Sequence, residues 1–238
     1  MACNVDKYGD CSIYESYSDC NIFFPIAKLL ITPLHDIGLT PNMVTILSTC
    51  ITLSTIYFLS INRKDIAILT LLGGYIFDCV DGMMARKYKM TSDLGMALDS
   101  CSDIISNGLI ILFLATTYVL NTTNILLLII IFIFSYMLTI AYGMVESVAS
   151  IKATESANFY KRRQEQLAKY LECDNENITF EKLLYKFFLI VTKFEYDSFK
   201  KIVPMLNQSI IDTCLPIIKN FGPGNYTIIL TLVILLIK

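Results

Sequence analysis

From Asn124 to Met144 the chain carries no charged side chain, and within that stretch Ile125 to Phe134 holds only Leu, Ile and Phe. A helix rises about 1.5 Å per residue, so a stretch of this kind is roughly 30 Å long, the thickness of a bilayer's hydrocarbon core. Backbone in lipid must satisfy its own hydrogen bonds, which predicts a spanning helix here rather than a loop or an open strand. Three further runs have the same character. Met43 to Ile61 follows the turn Thr40-Pro41-Asn42, where Thr or Asn can cap a helix and Pro pre-sets its first turn. Ile66 to about Met84, continuing to Arg86, is the next, and about Asp93 to Leu120 the third. Composition agrees: 55% of the 238 residues are hydrophobic and 17% charged, where soluble domains average about 25% charged.

The remaining segments divide by character. Residues 1–21 are polar and acidic and read as a loosely ordered arm; Ile22 to Ile37 mixes apolar side chains with Lys28, His35 and Asp36 and reads as an interfacial helix. Residues 22–145 then hold this helix and the four spans. Residues 146–221 carry eleven Lys and Arg between Lys152 and Lys219 and form a water-side insertion. Within it Leu183, Leu184, Phe187, Phe188, Ile190 and Val191 recur at helical spacing, so the stretch Phe180 to Val203 lies on the bilayer or packs on the bundle. Gly222-Pro223-Gly224 breaks the chain before residues 222–238 end in a short apolar helix, Tyr226 to Ile237. The expected fold is an all-α polytopic membrane bundle: four clear spans, a short C-terminal fifth and an N-terminal interfacial helix.

Charge placement gives an orientation. If the N-terminus and the insertion share one side, sixteen of the nineteen Lys and Arg fall there, with Arg63, Lys64 and Lys238 opposite, which puts the turn around Lys87 and Lys89 in the cytoplasm. A net charge of −2 offers no field for nucleic acid, which is not expected as a partner. No signal peptide is expected, because no basic stretch followed by an apolar one opens the chain. The eight cysteines form no C-x-x-C pair and read as reduced or lipid-buried; a metal or disulfide cluster of Cys3, Cys11 and Cys20 is the alternative.

Four aspartates break the second and third spans. Asp78 and Asp81 are three residues apart and Asp99 and Asp103 four, so each pair lies on one helix face, and the short turn between the helices brings the pairs together. An aspartate at mid-bilayer costs about 2.5–3.5 kcal/mol on insertion scales, and four uncompensated ones on the order of ten. Arg86 is a single cation against them. Divalent ions fit better, because hard cations take carboxylate oxygens and keep places for water or phosphate. Gly82 permits a substrate to approach the backbone, Gly95 permits close helix packing, and the Arg86 guanidinium offers a fork of donors to phosphate.

These residues fit the pattern D-x2-D-G-x2-A-R-x8-G-x3-D-x3-D at each of its eight fixed positions, Asp78, Asp81, Gly82, Ala85, Arg86, Gly95, Asp99 and Asp103. By average residue usage such a match arises by chance on the order of 10⁻¹⁰ per starting site. In this the chain resembles the class-I CDP-alcohol phosphatidyltransferase family, and the stretch Gly38 to Thr45 is similar to the segment before that family's first span. The resemblance covers about residues 25–145.

The resemblance implies displacement of CMP from a CDP-linked lipid or alcohol donor by an acceptor hydroxyl, within phospholipid biosynthesis. It implies two divalent cations, Mg²⁺ first and Mn²⁺ second, with Asp78, Asp81 and Asp99 as ligands and Asp103 as both ligand and proton acceptor. Gly82, Arg86 and Ser92 match positions that contact the CDP moiety, and Thr40, Pro41, Asn42 and Met43 match the segment that closes over the nucleotide. It implies a multi-pass membrane protein with its site at the cytoplasmic face, and a homodimer. The family has six spans, so the sixth is expected to be missing here. Two other readings compete. One is a shortened, non-catalytic relative acting as a membrane interaction protein, against which the four intact aspartates speak. The other is a cation transporter, for which the apolar runs Leu109 to Leu114 and Ile125 to Phe134 supply no polar path.

Overall fold

Capping chemistry sets where the helices begin. The computed structural model describes residues 14–119, 129, 133, 136–138, 140–144, 164–172 and 179–236, and among these there are helices and no strand. A π-helical turn, Asp19–Phe23, leads into α1 (Phe24–Asp36). The long helix α2 (Pro41–Ser60) starts at Thr40, whose hydroxyl oxygen accepts from the Met43 amide, with Pro41 in the first turn. Next come α3 (Lys64–Lys87) and α4 (Asp93–Leu114), the latter capped by Ser92, whose Oγ accepts from the Gly95 amide at 2.9 Å. Within the insertion lie α5 (Phe180–Ile202) and α6 (Gln208–Ile218), the latter capped by Asn207, and after it comes α7 (Pro223–Leu236). Three stretches, Pro41–Ser60, Lys64–Lys87 and Asp93–Thr117, are long and apolar enough to cross a membrane.

Helices α2, α3 and α4 form the centre. At the end where α2 turns into α3, Leu59, Ala67, Leu71, Ile110 and Leu114 pack with Leu230 and Ile234 of α7. Toward the other end, α1 lies along α3: Ala27 and Ile31 are buried with Val44, Val80, Met83 and Met84. There His35 stacks on Tyr88, ring centroids 3.6 Å apart, and the Lys87 ammonium donates to Thr32 at 2.7 Å. The first half of α4 is covered by the insertion, with Ala97 and Cys101 against Leu167, Leu184, Tyr185 and Phe188. Burying one apolar side chain of this kind stabilises a fold by about 1.5–3 kcal/mol, so α5 is held to α4 by packing. The choice left open for that stretch is settled in favour of the bundle for its Leu184–Phe188 face, while Phe180, Leu183 and Ile190 remain exposed.

Several expectations need correction. The segment before α1 is not a loose arm where it is described: Ser16, Ser18 and Asp19 are buried. The reason is local donor supply. Asp19 accepts from the hydroxyls of Ser16 and Tyr75 at 2.6 and 2.7 Å and from the Gly224 amide at 3.3 Å, while Ser18 bonds Asn225. Burial holds the Asp19 carboxyl above the ordinary carboxylate range, outweighing these hydrogen bonds. Cys20 is joined in a disulfide, contrary to the reading of the cysteines as reduced or lipid-buried. The α-helix of the third span stops at Leu114, passing into a π-helical turn, Ala115–Val119. The last helix starts at Pro223, three residues before Tyr226, because Pro suits a first helical turn. The fourth span, Asn124 to Met144, lies largely outside the described residues.

Candidate active site

The turn between α3 and α4 makes the site. Lys89 takes φ = 57°, and the Met90 amide reaches back to the Ala85 carbonyl at 2.8 Å, closing α3 in the manner of a left-handed helix cap. Ser92 then caps α4, so that five residues separate two long helices and their aspartates face one another. Asp78, Asp99 and Asp103 each bring a carboxylate oxygen within 4.8 Å of the other two. Asp78 and Asp99 are half-buried and Asp103 is exposed. Asp81 stands beside this trio rather than in it. It is buried, and its Oδ2 has no hydrogen-bond partner.

A buried carboxylate oxygen with no donor is costly, and a cation is the group that satisfies it. Three converging carboxylates and this fourth, orphaned one fit hard divalent cations, which take oxygen ligands and hold the rest of their shell open to water and phosphate. The donor set contains no His or thiolate of the kind that zinc or copper prefers.

Two cavities meet the aspartates from opposite sides. The first, of about 410 Å³, opens at the α3–α4 end and is lined by Pro41, Asn42, Asp81, Gly82, Arg86, Ser92, Gly95 and Asp99 among the expected residues. A Cβ at Gly95 would sit 2.8 Å from Asn42 Oδ1 and 3.0 Å from Ser92 Oγ, so a side chain there would push Asn42 and Ser92 apart. Gly82 sits under Arg86, where a Cβ would lie 3.3 Å from the guanidinium. The second cavity, of about 60 Å³, lies deeper along the helices and is lined by Asp78 and Asp103 with hydroxyl and amide side chains of α2, α4 and α7.

Not every expected residue meets a cavity. Thr40 caps α2, and Met43 is exposed; neither lines the first cavity, although their neighbours Pro41 and Asn42 do. Ser92 does both, capping α4 and facing the cavity. Sequence reasoning missed Thr45, on the wall one turn after Pro41, and Phe188 and Thr192 of α5, which close the cavity from the insertion. Thr45 was findable, being four residues after Pro41 and thus on the same helix face.

Comparison with known proteins identifies the family. The model of the CDP-alcohol phosphatidyltransferase family matches residues 38–167. Among curated relatives, the archaetidylinositol phosphate synthase of Pyrococcus horikoshii is 34% identical over 82 residues, 34% of this chain and 44% of that protein. The CDP-diacylglycerol–serine O-phosphatidyltransferase of Bacillus subtilis is 35% identical over 82 residues, 34% of this chain and 46% of that protein. The chain thus matches less than half the length of either relative. No solved structure matches. Since the family's match takes in more than half of the sequence, including both aspartate pairs and the turn between them, the chain belongs to the CDP-alcohol phosphatidyltransferase family.

Proposed function

We propose that this protein is a membrane phosphotransferase of phospholipid biosynthesis, moving a phosphatidyl or phospho-alcohol group from a CDP-linked donor to an acceptor hydroxyl and releasing CMP. The observation that carries the reading is the convergence of Asp78, Asp99 and Asp103 where two cavities meet, with Arg86 and the orphaned Asp81 on one side only. The larger cavity, with its guanidinium, suits the nucleotide diphosphate, which Arg86 can hold through paired donors. Asp78, Asp81 and Asp99 would hold divalent cations, Mg²⁺ first and Mn²⁺ second. Such cations, when bound, neutralise a diphosphate and stabilise attacking and leaving oxygens.

The acceptor oxygen forms a bond to the phosphorus that carries the donor's alcohol, the bond from that phosphorus to the CMP oxygen breaks, and CMP leaves with the electron pair. The acceptor's proton passes to Asp103. An exposed carboxylate is open to an incoming hydroxyl in a way that the buried Asp81 is not. General-base help of this kind contributes about 10²–10⁴-fold. Asn42, Thr45 and Thr192 border the nucleotide cavity and would orient the donor, while Phe188 limits water entry from the α5 side. The site faces the cytoplasm if the Lys and Arg distribution sets the orientation.

The test is release of CMP by purified protein in lipid, with CDP-diacylglycerol, CDP-choline or CDP-ethanolamine as donor against a panel of alcohols, with and without Mg²⁺. Cation-dependent release that is lost in Asp103→Asn supports the reading. A protein that binds CDP and Mg²⁺ yet releases no CMP from any pair is a non-catalytic relative, and the reading falls.

A further inference from the structure

Helix α5 shows different chemistry on its two faces. Leu184, Tyr185, Phe188 and Thr192 are buried, the first three of them against α4. On the other side Phe180, Leu183 and Ile190 recur at spacings of three and seven and are 71%, 59% and 70% exposed, with the half-buried Phe187 between them. Lys186 and Lys193 are exposed along one edge of this apolar arc, each three residues after one of its members, Leu183 and Ile190. The arc runs for about three helical turns. It ends at Asp197, which takes the place seven residues after Ile190.

Eight charged side chains between Glu181 and Lys201 keep α5 from crossing a membrane. Its level along the bundle decides what the arc meets. The α4 residues that pack with it run from Leu94 to Cys101, within roughly 12 Å of the start of α4. A headgroup layer and the outermost acyl carbons together fill about that depth. Helix α5 therefore lies at one bilayer interface, the one that carries Arg86, Lys87 and Lys89 at the turn between α3 and α4. An apolar arc with a basic edge at this depth suits an interfacial amphipathic helix: acyl chains take the arc, and the lysines extend their aliphatic stems toward headgroup phosphates. A second copy of the chain on the same arc would bring its own Lys186 and Lys193 to the contact, like charge against like.

We propose that the outer face of α5 binds the anionic surface of the adjoining leaflet, with Phe180, Leu183 and Ile190 entering the acyl boundary and Lys186 and Lys193 engaging lipid phosphates. A lysine near an anionic leaflet strengthens such binding by about fivefold. The inner face of the same helix presents Phe188 and Thr192 to the larger cavity, beside Ser92, Gly95 and Asp99. Lipid charge thus seats one wall of that cavity, and the leaflet's composition sets how tightly the cavity holds its nucleotide. This last step rests on the function proposed above, whereas the lipid contact stands without it.

The chain has no tryptophan, so Leu183→Trp and Ile190→Trp each give the full chain a single fluorophore. The variants are placed in nanodiscs of phosphatidylcholine, alone or mixed with phosphatidylglycerol, and quenched by iodide in the water or by a doxyl group high on the lipid acyl chain. In mixed discs both tryptophans should emit at short wavelength, yield to the doxyl lipid and resist iodide. Neutral discs, or Lys186→Gln with Lys193→Gln, should lower the ratio of seated to exposed tryptophan by about five- to twenty-five-fold. Protection from heat by CDP plus Mg²⁺ should be stronger in mixed than in neutral discs, and the lysine variant should erase that difference. Iodide quenching without doxyl quenching leaves the arc in water and overturns the proposal. Short-wavelength emission that neither agent quenches puts protein on the arc, a second copy or another part of the chain, and overturns it as well. Doxyl quenching of equal strength in neutral discs and in the lysine variant overturns the recognition of anionic lipid, and equal CDP protection in both discs overturns the coupling to the cavity. Charge-dependent seating in a protein that CDP never protects leaves the lipid surface standing and overturns the nucleotide reading of the larger cavity.

Discussion

Asp19 and Asp81 are both buried carboxylates in an apolar bundle, with 1% and 4% of their surface exposed, yet their surroundings differ in kind. Asp19 has three donors from three parts of the chain, the hydroxyls of Ser16 and Tyr75 and the amide of Gly224. Asp81 keeps an oxygen with none. Burial alone therefore says little about function. The donor count separates a carboxylate that ties segments together from one that waits for a cation, and the two should respond oppositely to mutation.

The largest effect is expected at Asp81. Asp81→Asn removes a charge that the protein leaves unsatisfied, so heat stability without divalent cation should be unchanged or higher, while the added stability conferred by Mg²⁺ is lost. CMP release should drop by about 10²–10⁴-fold, in line with loss of a group that acts at the reacting phosphate. Thermal unfolding with and without Mg²⁺, run beside the activity assay, checks both. A large drop in the cation-free stability of Asp81→Asn would erase the contrast with Asp19.

Asp19→Ala should do the reverse. It strands the Tyr75 hydroxyl, the Ser16 hydroxyl and the Gly224 amide, and leaving such groups without partners costs on the order of 3 kcal/mol. Unfolding should come at lower temperature, with the Mg²⁺-dependent increment retained, since Asp19 is not among the clustered carboxylates. Gly224→Ala approaches the same contact from the other side. A Cβ there would overlap the Asp19 carboxylate, so α7 must shift away from the N-terminal turn, at about 1–3 kcal/mol. A double variant, Asp19→Ala with Gly224→Ala, should cost less than the sum of the two, because both break one contact.

The same contrast explains what the sequence could reveal. The signature residues lie on two consecutive helices at spacings of three and four, so their meeting is dictated by helix geometry and one five-residue turn. Thr40 was legible for a similar reason: a cap acts on residues two or three positions away, and α2 begins at Pro41 as the turn chemistry requires. Asp19, by contrast, meets Tyr75 and Gly224 across 56 and 205 positions, a pairing that no periodicity encodes. The acidic, polar run before α1 looked like a solvated arm because its partners are a tyrosine and a backbone amide far along the chain. For Phe188 and Thr192 the amphipathic pattern marks a face to be covered without saying by what; that α5 settles on α4 and closes the nucleotide cavity is a tertiary choice.

The smallest effect is a slope. Burial raises the Asp19 carboxyl above its ordinary range despite three hydrogen bonds, so the folded protein binds this proton more tightly than the unfolded chain does. The stability that Asp19 contributes through its proton is then fully present below the unfolded pKa, near 4, and declines as pH rises through the raised folded value. Asp19→Asn cannot titrate, so unfolding midpoints followed upward from about pH 4 should fall for the natural protein and stay flatter for the variant, by less than about 1.4 kcal/mol for each unit that the pKa is raised. If the two slopes are the same, Asp19 keeps its charge at ordinary cost, and the three donors, rather than desolvation, govern its ionisation.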